Sequence, residues 1–116
     1  MSLSTHVLDS ALGRPAAGMP VRLDAAMADG WTPLVATHTD QDGRAREAFA
    51  AVLRDGVSAG GTYRLVFDTA DYFAGRGVKE YFYPEVVVCF AITESGTHYH
   101  VPLLLSPFGY STYRGS

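Results

Sequence analysis

The sequence has a single cysteine and little net charge. Because Cys89 is alone in the segment VVVCF, no internal disulfide can form and nothing in the sequence requires an oxidising compartment. A lone cysteine within an apolar segment is expected to be a buried strand residue rather than a reactive thiol. The formal net charge of −3 provides no basic face of the kind that nucleic-acid-binding proteins carry. We therefore expect no nucleic-acid partner.

Targeting and membrane segments are also missing. The opening residues MSLSTHVLDS lack the charged and apolar regions of a signal peptide. No apolar run approaches the roughly 20 residues that a transmembrane helix needs. These absences predict a cytoplasmic protein without a membrane partner. With 116 residues, 47% of them hydrophobic and 18% charged, the chain is expected to form one domain spanning residues 1–116.

Short segments rich in β-branched and aromatic residues alternate with turn signals such as LGRPAAG, DQDGR and SPFG. This pattern predicts strands at residues 5–10, 20–27, 32–40, 62–69, 86–93 and 98–106. Many short strands separated by turns over about a hundred residues are typical of an all-β sandwich. One segment differs from the rest: TADYFAGRG, residues 69–77, predicts a single short helix that begins on the Thr69 hydroxyl and ends at a glycine.

The predicted strand at residues 98–106 is apolar on both faces. Because successive side chains alternate, one face is expected to enter the core, with Tyr99, Val101, Leu103 and Leu105. The opposite face carries His98, His100, Pro102 and Leu104. That face is too apolar for bulk water, and no residues remain to form another layer. We therefore expect a second copy of the chain to cover it, which would place His100 in a subunit interface.

The chain contains four histidines, which are candidates for proton transfer near neutral pH. His38 lies beside turn residues and is expected to be solvated, and His98 opens its strand and is expected at the rim. His6 and His100 have apolar neighbours, so each is either a structural histidine or part of a site. The strand face of His6 and Leu8 could meet that of His100 and the chain end, but the sequence leaves this open.

Other catalytic patterns are weak or missing. His98-x-His100 places two imidazoles on one strand face, but neither His-Glu-x-x-His nor Cys-x-x-Cys accompanies it, so we expect no metal site. Arg44 follows an Asp-Gly turn, where it is either solvated or directed into a site to bind an oxyanion. Ser116 lies outside any Gly-x-Ser-x-Gly nucleophile elbow, and the chain has no phosphate-binding glycine loop.

Several motifs together resemble the 5-hydroxyisourate hydrolase family, the transthyretin-related enzymes of urate breakdown. They are THVLD, DGR, FDTADYF, FYPEV and HYHVPLLLSPFGYSTYRGS, and they span nearly the whole chain. Residues 25–37 and 47–61 contribute little to the resemblance. The resemblance implies a transthyretin-like β-sandwich of two four-stranded sheets with one short helix. It also implies a homotetramer, a dimer of dimers, with active sites in clefts at the dimer–dimer interface.

The resemblance further implies which residues act on the substrate. The implied catalytic residues are His6, Arg44, His100 and Ser116, and the implied substrate-binding residues are His6, Arg44, Tyr113, Arg114, Gly115 and Ser116. The implied reaction needs no cofactor or metal. Water, activated by the two histidines, attacks a ring carbonyl of 5-hydroxyisourate and opens the ring to 2-oxo-4-hydroxy-4-carboxy-5-ureidoimidazoline. Two alternatives stay open: a transthyretin-like carrier of small aromatic ligands, and a metal-dependent hydrolase.

Overall fold

Two β-sheets pack face to face in the computed structural model, which describes residues 2–50, 61–93 and 97–116. The first sheet contains β1 (Ser2–Asp9), β2 (Arg14–Pro15), β5 (Arg44–Ala45), β8 (His98–Ser106) and β9 (Gly109–Thr112). The second contains β3 (Pro20–Met27), β4 (Gly30–His38), β6 (Gly61–Phe67) and β7 (Val86–Ile92). The predicted all-β sandwich is confirmed.

The order of the strands determines where the candidate site residues lie. The first sheet runs β2-β1-β8-β9, and the two-residue strand β5 pairs with β1 off that path. The second sheet runs β4-β3-β6-β7. β1 and β8 are parallel although about ninety residues separate them, whereas β8 and β9 form an antiparallel hairpin. The two four-stranded sheets that the resemblance implies are present, with β5 added to the first as a short fifth strand. The short strands β2, β5 and β9 are additional to the six strands that the residue pattern predicts.

The core lies between the two sheets and follows the alternation of side chains along the strands. In β8 the predicted core face is buried, with Tyr99, Val101, Leu103 and Leu105. From β1 the buried Leu3, Thr5 and Val7 enter the same layer. The largest fully buried side chains include Phe49, Phe67 and Phe73.

The helix α1 (Thr69–Gly75) lies where the sequence predicts it, but its cap differs from the prediction. The N-cap is Asp68, whose carboxylate accepts the backbone N–H of Asp71 at 3.1 Å. The Thr69 hydroxyl instead donates to the carbonyl of Tyr83. Residues 47–50 are also helical, so the described part of the chain has a helical segment beyond the one predicted. Within the described part of the chain, no helix is long and apolar enough to cross a membrane.

The outer face of β7 corrects one expectation. Cys89 is exposed rather than buried. The strand alternates regularly, so Val86, Val88 and Ile92 enter the core while Val87 and Cys89 point outward. Both sets of side chains are apolar, and the sequence alone does not reveal which set packs inward.

Candidate active site

A polar cleft of about 430 Å³ lies over the first sheet, where β1 and β8 run side by side between β5 and the chain end. It is lined by Ser4, Thr5, Asp40, Asp42, Arg44, Arg46, Glu47, His98, His100 and Ser116. The lining combines imidazoles, guanidinium groups, hydroxyls and carboxylates within one small volume. Three of the four predicted catalytic residues, Arg44, His100 and Ser116, therefore border the same space.

The parallel pairing of β1 with β8 brings the two histidine-bearing faces together. Ser4 lies opposite His100, and His6 lies opposite Pro102. On its other side β1 pairs with β5, where His6 lies opposite Arg44. Directly opposed residues share a face of the sheet, so His6, Arg44 and His100 all belong to the outer face. His6, the fourth predicted catalytic residue, is half-buried and is not among the residues that line the cleft, but it lies opposite Arg44, which does line it.

A locked turn holds Arg44 in place. The Asp40 carboxylate accepts the backbone N–H groups of Asp42 at 2.9 Å and of Arg44 at 3.0 Å. The hydrogen bond from the Arg44 amide is the main cause that keeps the pKa of Asp40 below its ordinary value. Gly43 has φ +75°, and a Cβ there would lie 2.4 Å from the Val7 carbonyl oxygen. Only glycine therefore fits this turn. The turn places Arg44 beside β1, opposite His6.

The residues after β9 continue alongside β8 in the antiparallel register of the hairpin. The Gly115 amide donates to the carbonyl of His100 at 2.8 Å, and the two residues form an antiparallel bridge. Ser116 then reaches the cleft. The Arg114 guanidinium lies 4.8 Å from the centre of the Tyr99 ring. Arg114 and Tyr113 line a second, smaller depression of about 230 Å³, which His100 also borders.

His100 lies between the two depressions and is half-buried. Burial lowers the pKa of its imidazole, and the nearby charges of His98, Arg44 and His6 lower it further. The neutral form is therefore favoured at neutral pH. A neutral imidazole can accept a proton from water, which makes His100 a competent general base.

Two hydroxyl–imidazole contacts were not predicted from the sequence. The Ser4 hydroxyl lies 2.7 Å from Nδ1 of His100 and 3.2 Å from Nε2 of His98. The hydroxyl of Ser2 contacts Nδ1 of His98, and the two imidazoles are stacked with centroids 6.3 Å apart. His98 is exposed, as expected of a rim residue, yet it also lines the cleft. The alternation of Ser2, Ser4 and His6 along β1 is the one sequence signal that could have identified Ser4.

The remaining histidine lies away from the cleft. His38, at the end of β4, is exposed as predicted and lies on the other sheet.

Within residues 2–50, 61–93 and 97–116, no group of three or more histidine, cysteine, aspartate or glutamate side chains is arranged to hold a metal ion. The histidine pair in the cleft is bridged by serine instead.

The arrangement supports the chemistry of hydrolysis. A neutral imidazole can activate water, and a guanidinium can hold carbonyl oxygens and balance the negative charge that develops on a tetrahedral intermediate. Hydroxyl groups and backbone N–H groups at the rim can orient a polar ring. The cleft is small, which suits a substrate of one or two fused rings rather than a polymer.

Comparison with known proteins identifies the family of the chain. Residues 3–115 match the model of the HIUase/Transthyretin family. The 5-hydroxyisourate hydrolase of Salmonella typhimurium is 47% identical over 114 residues, which cover 98% of this chain and 80% of that protein.

Solved structures show the same fold. The structure of Klebsiella pneumoniae 5-hydroxyisourate hydrolase superposes with a TM-score of 0.81 at 34% identity and covers the whole of both chains. Sea bream transthyretin in complex with thyroxine superposes with a TM-score of 0.84 at 31% identity, over 97% of this chain and 93% of that one. The chain therefore belongs to the HIUase/Transthyretin family.

Proposed function

We propose that this protein hydrolyses 5-hydroxyisourate, opening the ring at a C–N bond to give 2-oxo-4-hydroxy-4-carboxy-5-ureidoimidazoline in urate breakdown. The observation that carries this proposal is the convergence of Arg44, His100 and Ser116 on one polar cleft. The 47% identity to a 5-hydroxyisourate hydrolase over nearly the whole chain supports the choice of substrate.

His100 and His6 together activate the attacking water. His100 is held neutral by burial and by neighbouring positive charge, so it can take a proton from the attacking water. His6 lies on the same outer face, beside Arg44, where its imidazole can orient the same water. With two imidazoles close together, protonation of one disfavours protonation of the other, which keeps one available as a base.

Substrate binding falls to Arg44 and the chain end. The guanidinium of Arg44 presents a planar fork of N–H donors that matches the carbonyl oxygens of a urate-like ring, and it stabilises the oxyanion formed on water attack. Ser116 donates a hydrogen bond to substrate or water from the opposite side of His100. Tyr113, Arg114 and Gly115 complete the binding site by shaping the second depression and holding the chain end against β8.

The assembly that suits this site is a homotetramer, a dimer of dimers, in the cytoplasm. The outer face of the first sheet supports this part of the proposal. Leu8 and Leu104 lie on it half-buried, and Phe108 and Tyr110 beside it are 67% and 42% exposed. A second dimer packed on this face would cover these side chains and enclose the cleft, so that each site lies at the dimer–dimer interface.

The proposal is tested with freshly generated substrate. Urate oxidase converts urate to 5-hydroxyisourate, whose ultraviolet absorbance decays slowly without a catalyst. Addition of the protein should accelerate that decay, with the same rate in the presence of a chelator because the mechanism uses no metal or other cofactor. An unchanged decay would overturn the proposed function. Acceleration that the chelator abolishes would instead support the metal-dependent hydrolase.

A carrier function is the second candidate, because sea bream transthyretin in complex with thyroxine has the same fold. The fold therefore does not separate the two functions. The polar cleft with Arg44, His100 and Ser116 favours hydrolysis, since a carrier needs neither a base nor an oxyanion partner. Saturable binding of a small aromatic ligand without accelerated decay of 5-hydroxyisourate would favour the carrier.

A further inference from the structure

The hydroxyl of Ser4 connects the two histidines of β8. It lies 2.7 Å from Nδ1 of His100 and 3.2 Å from Nε2 of His98. Ser4 is only 9% exposed, so its hydroxyl has little access to water as an alternative partner. On the far side, Nδ1 of His98 contacts the hydroxyl of Ser2. These contacts form one continuous chain of hydrogen bonds from the buried edge of His100 to the exposed ring of His98.

The donor and acceptor roles of the Ser4 hydroxyl and of the two imidazoles restrict the direction of these hydrogen bonds. A serine hydroxyl has one proton, so it donates to one imidazole and accepts from the other. If Nδ1 of His100 donates to Ser4, then Ser4 donates to Nε2 of His98. Nε2 of His100 is then free of a proton, as a general base requires. No described residue forms a hydrogen bond with that Nε2, so it is available to a water molecule in the cleft.

We propose that Ser4 is a positioning residue that fixes His100 as the Nδ1–H tautomer and relays its proton to His98. The catalytic role of Ser4 rests on the proposed function. The tautomer of His100, in contrast, can be observed without substrate turnover. Ser4 and His98 act through His100 and need not touch the substrate.

The proton transfer balances along the chain. The attacking water gives a proton to Nε2 of His100 as its oxygen bonds to the substrate carbonyl carbon. Nδ1 of His100 passes its proton to the Ser4 oxygen, and the Ser4 proton passes to Nε2 of His98. His98 becomes the imidazolium and His100 stays neutral, with its proton now on Nε2. The exposed His98 holds the positive charge while the tetrahedral intermediate exists. When the ring C–N bond breaks, Nε2 of His100 gives its proton to the leaving nitrogen. The relay then runs back, with Nε2–H of His98 passing to the Ser4 oxygen and the Ser4 proton to Nδ1 of His100, which restores the starting tautomer.

Several charged groups influence whether the positive charge lies on His100 or on His98. The positive charge of Arg44 and of a protonated His6 lies close to His100 and disfavours an imidazolium there. Nearer to solvent, the cleft also contains Arg46 and the carboxylates of Asp40, Asp42 and Glu47. A positive charge is therefore better tolerated at the exposed His98 than at the half-buried His100, which gives the relay its direction.

The first test reads the tautomer directly. Protein labelled with nitrogen-15 in histidine should show His100 with its proton on Nδ1 at neutral pH. Ser4→Ala should move that proton towards Nε2, and Ser4→Thr, which restores a hydroxyl, should return it. Ser10→Ala is the matched control, because Ser10 follows the same strand and its hydroxyl donates to the carbonyl of Leu105, away from both histidines. An unchanged His100 tautomer in Ser4→Ala would overturn the proposal.

The second test reads catalysis with 5-hydroxyisourate. Ser4→Ala and His98→Gln should each lower kcat by about tenfold or more with little change in KM, because the loss concerns proton transfer rather than binding. Ser4→Thr should recover most of kcat, and Ser10→Ala should retain it. Full kcat in Ser4→Ala would overturn the relay. If the unmodified protein does not accelerate decay, the proposed function fails, while the tautomer comparison still decides whether Ser4 controls His100.

Discussion

Gly115 rests directly against the imidazole of His100. Its amide donates to the His100 carbonyl at 2.8 Å, and a Cβ at Gly115 would lie 2.4 Å from Cδ2 of His100 and 3.2 Å from Cγ of Pro102. Real Cβ atoms do not approach other atoms so closely, so any other residue would force the chain end and the imidazole apart. The glycine before Ser116 thus sets the distance between the chain end and the proposed base.

Gly115→Ala should therefore inactivate the site without unfolding the protein. A displacement of about 1 Å between catalytic groups can reduce a rate by about a hundredfold. We expect a loss of that order in kcat/KM, measured by the decay of 5-hydroxyisourate absorbance. Gly109→Ala is the matched control, because its Cβ would meet only the Ser106 hydroxyl at an ordinary 3.7 Å. Equal activities in the two variants would contradict the positioning role of Gly115.

His100 should control the acid side of the pH profile. Its pKa is lowered by burial and by the charges of His98, Arg44 and His6, so the base stays neutral below the ordinary value of about 6.5. The activity should stay level as the pH falls to that value and decline only at lower pH. Arg44→Gln removes one of the neighbouring charges and should raise the His100 pKa, which nuclear magnetic resonance titration measures without turnover. An unchanged or lower pKa in Arg44→Gln would contradict this account.

The same pKa shift predicts a pH dependence of stability. The unfolded chain binds a proton at His100 more readily than the folded chain does. The contribution of His100 to the free energy of unfolding is therefore largest above about pH 6.5 and falls as the pH drops from there through the lower folded pKa. His100→Asn should remove this acid dependence in urea unfolding, and should also lower the hydrolysis rate by orders of magnitude. A rate equal to that of the unmodified protein would remove His100 from the mechanism.

The sequence was sufficient for the local features of the fold. Strict alternation along β8 identified its core face, and the turn and glycine signals around residues 69–77 located α1. The N-cap was misassigned by one residue because Asp68 and Thr69 are both good capping residues, and only the tertiary contact of Thr69 with Tyr83 decides between them.

Features that depend on pairing between distant residues could not be predicted from the sequence. The parallel register of β1 and β8 joins residues 96 positions apart, and this register places Ser4 beside His98 and His100. No local pattern shows such a pairing, so the sequence does not identify Ser4 or its hydrogen bond to His98. The exposure of Cys89 was missed for a similar reason, since an apolar strand does not show which face meets the opposite sheet.

An ion-pair network on the second sheet should contribute to stability far from the site. Asp24 is 1% exposed, and its carboxylate accepts from the guanidinium of Arg22 at 2.7 Å and of Arg64 at 2.8 Å. Burial raises the pKa of Asp24, but the two guanidinium groups outweigh it and lower the pKa overall. Asp24→Asn should reduce the free energy of unfolding by about 2 kcal/mol at pH 7.

The network prediction has its own pH signature and control. The stabilisation is present above the ordinary carboxyl pKa of about 3.9 and is lost as the pH falls through the lower folded value. Urea unfolding of Asp24→Asn and the unmodified protein should therefore converge only in strong acid. Asp29→Asn, at an exposed turn, should unfold like the unmodified protein at every pH. A constant difference for Asp24→Asn down to strong acid would contradict the ion-pair account.

A buried hydrogen bond between α1 and β1 should matter for stability as well. The Tyr72 hydroxyl donates to Oδ2 of Asp9 at 2.8 Å, and both residues are 4% exposed. Burial together with the Asp9 carboxylate raises the pKa of Tyr72 to about 12. Tyr72→Phe leaves one carboxylate oxygen of Asp9 without this donor, and should lower the free energy of unfolding by about 1–3 kcal/mol.

Alkaline titration separates the contribution of this hydrogen bond to the free energy of unfolding from the contribution of the packing of Tyr72. Because the folded pKa of Tyr72 exceeds the ordinary value of about 10, its stabilisation is complete below that pH and is lost as the pH rises towards about 12. Urea unfolding should therefore show the difference between Tyr72→Phe and the unmodified protein shrinking across this window. Tyr110→Phe, whose ring is 42% exposed, serves as the control and should unfold like the unmodified protein at neutral pH. A Tyr72→Phe variant as stable as this control would show that the Asp9 contact contributes nothing to the fold.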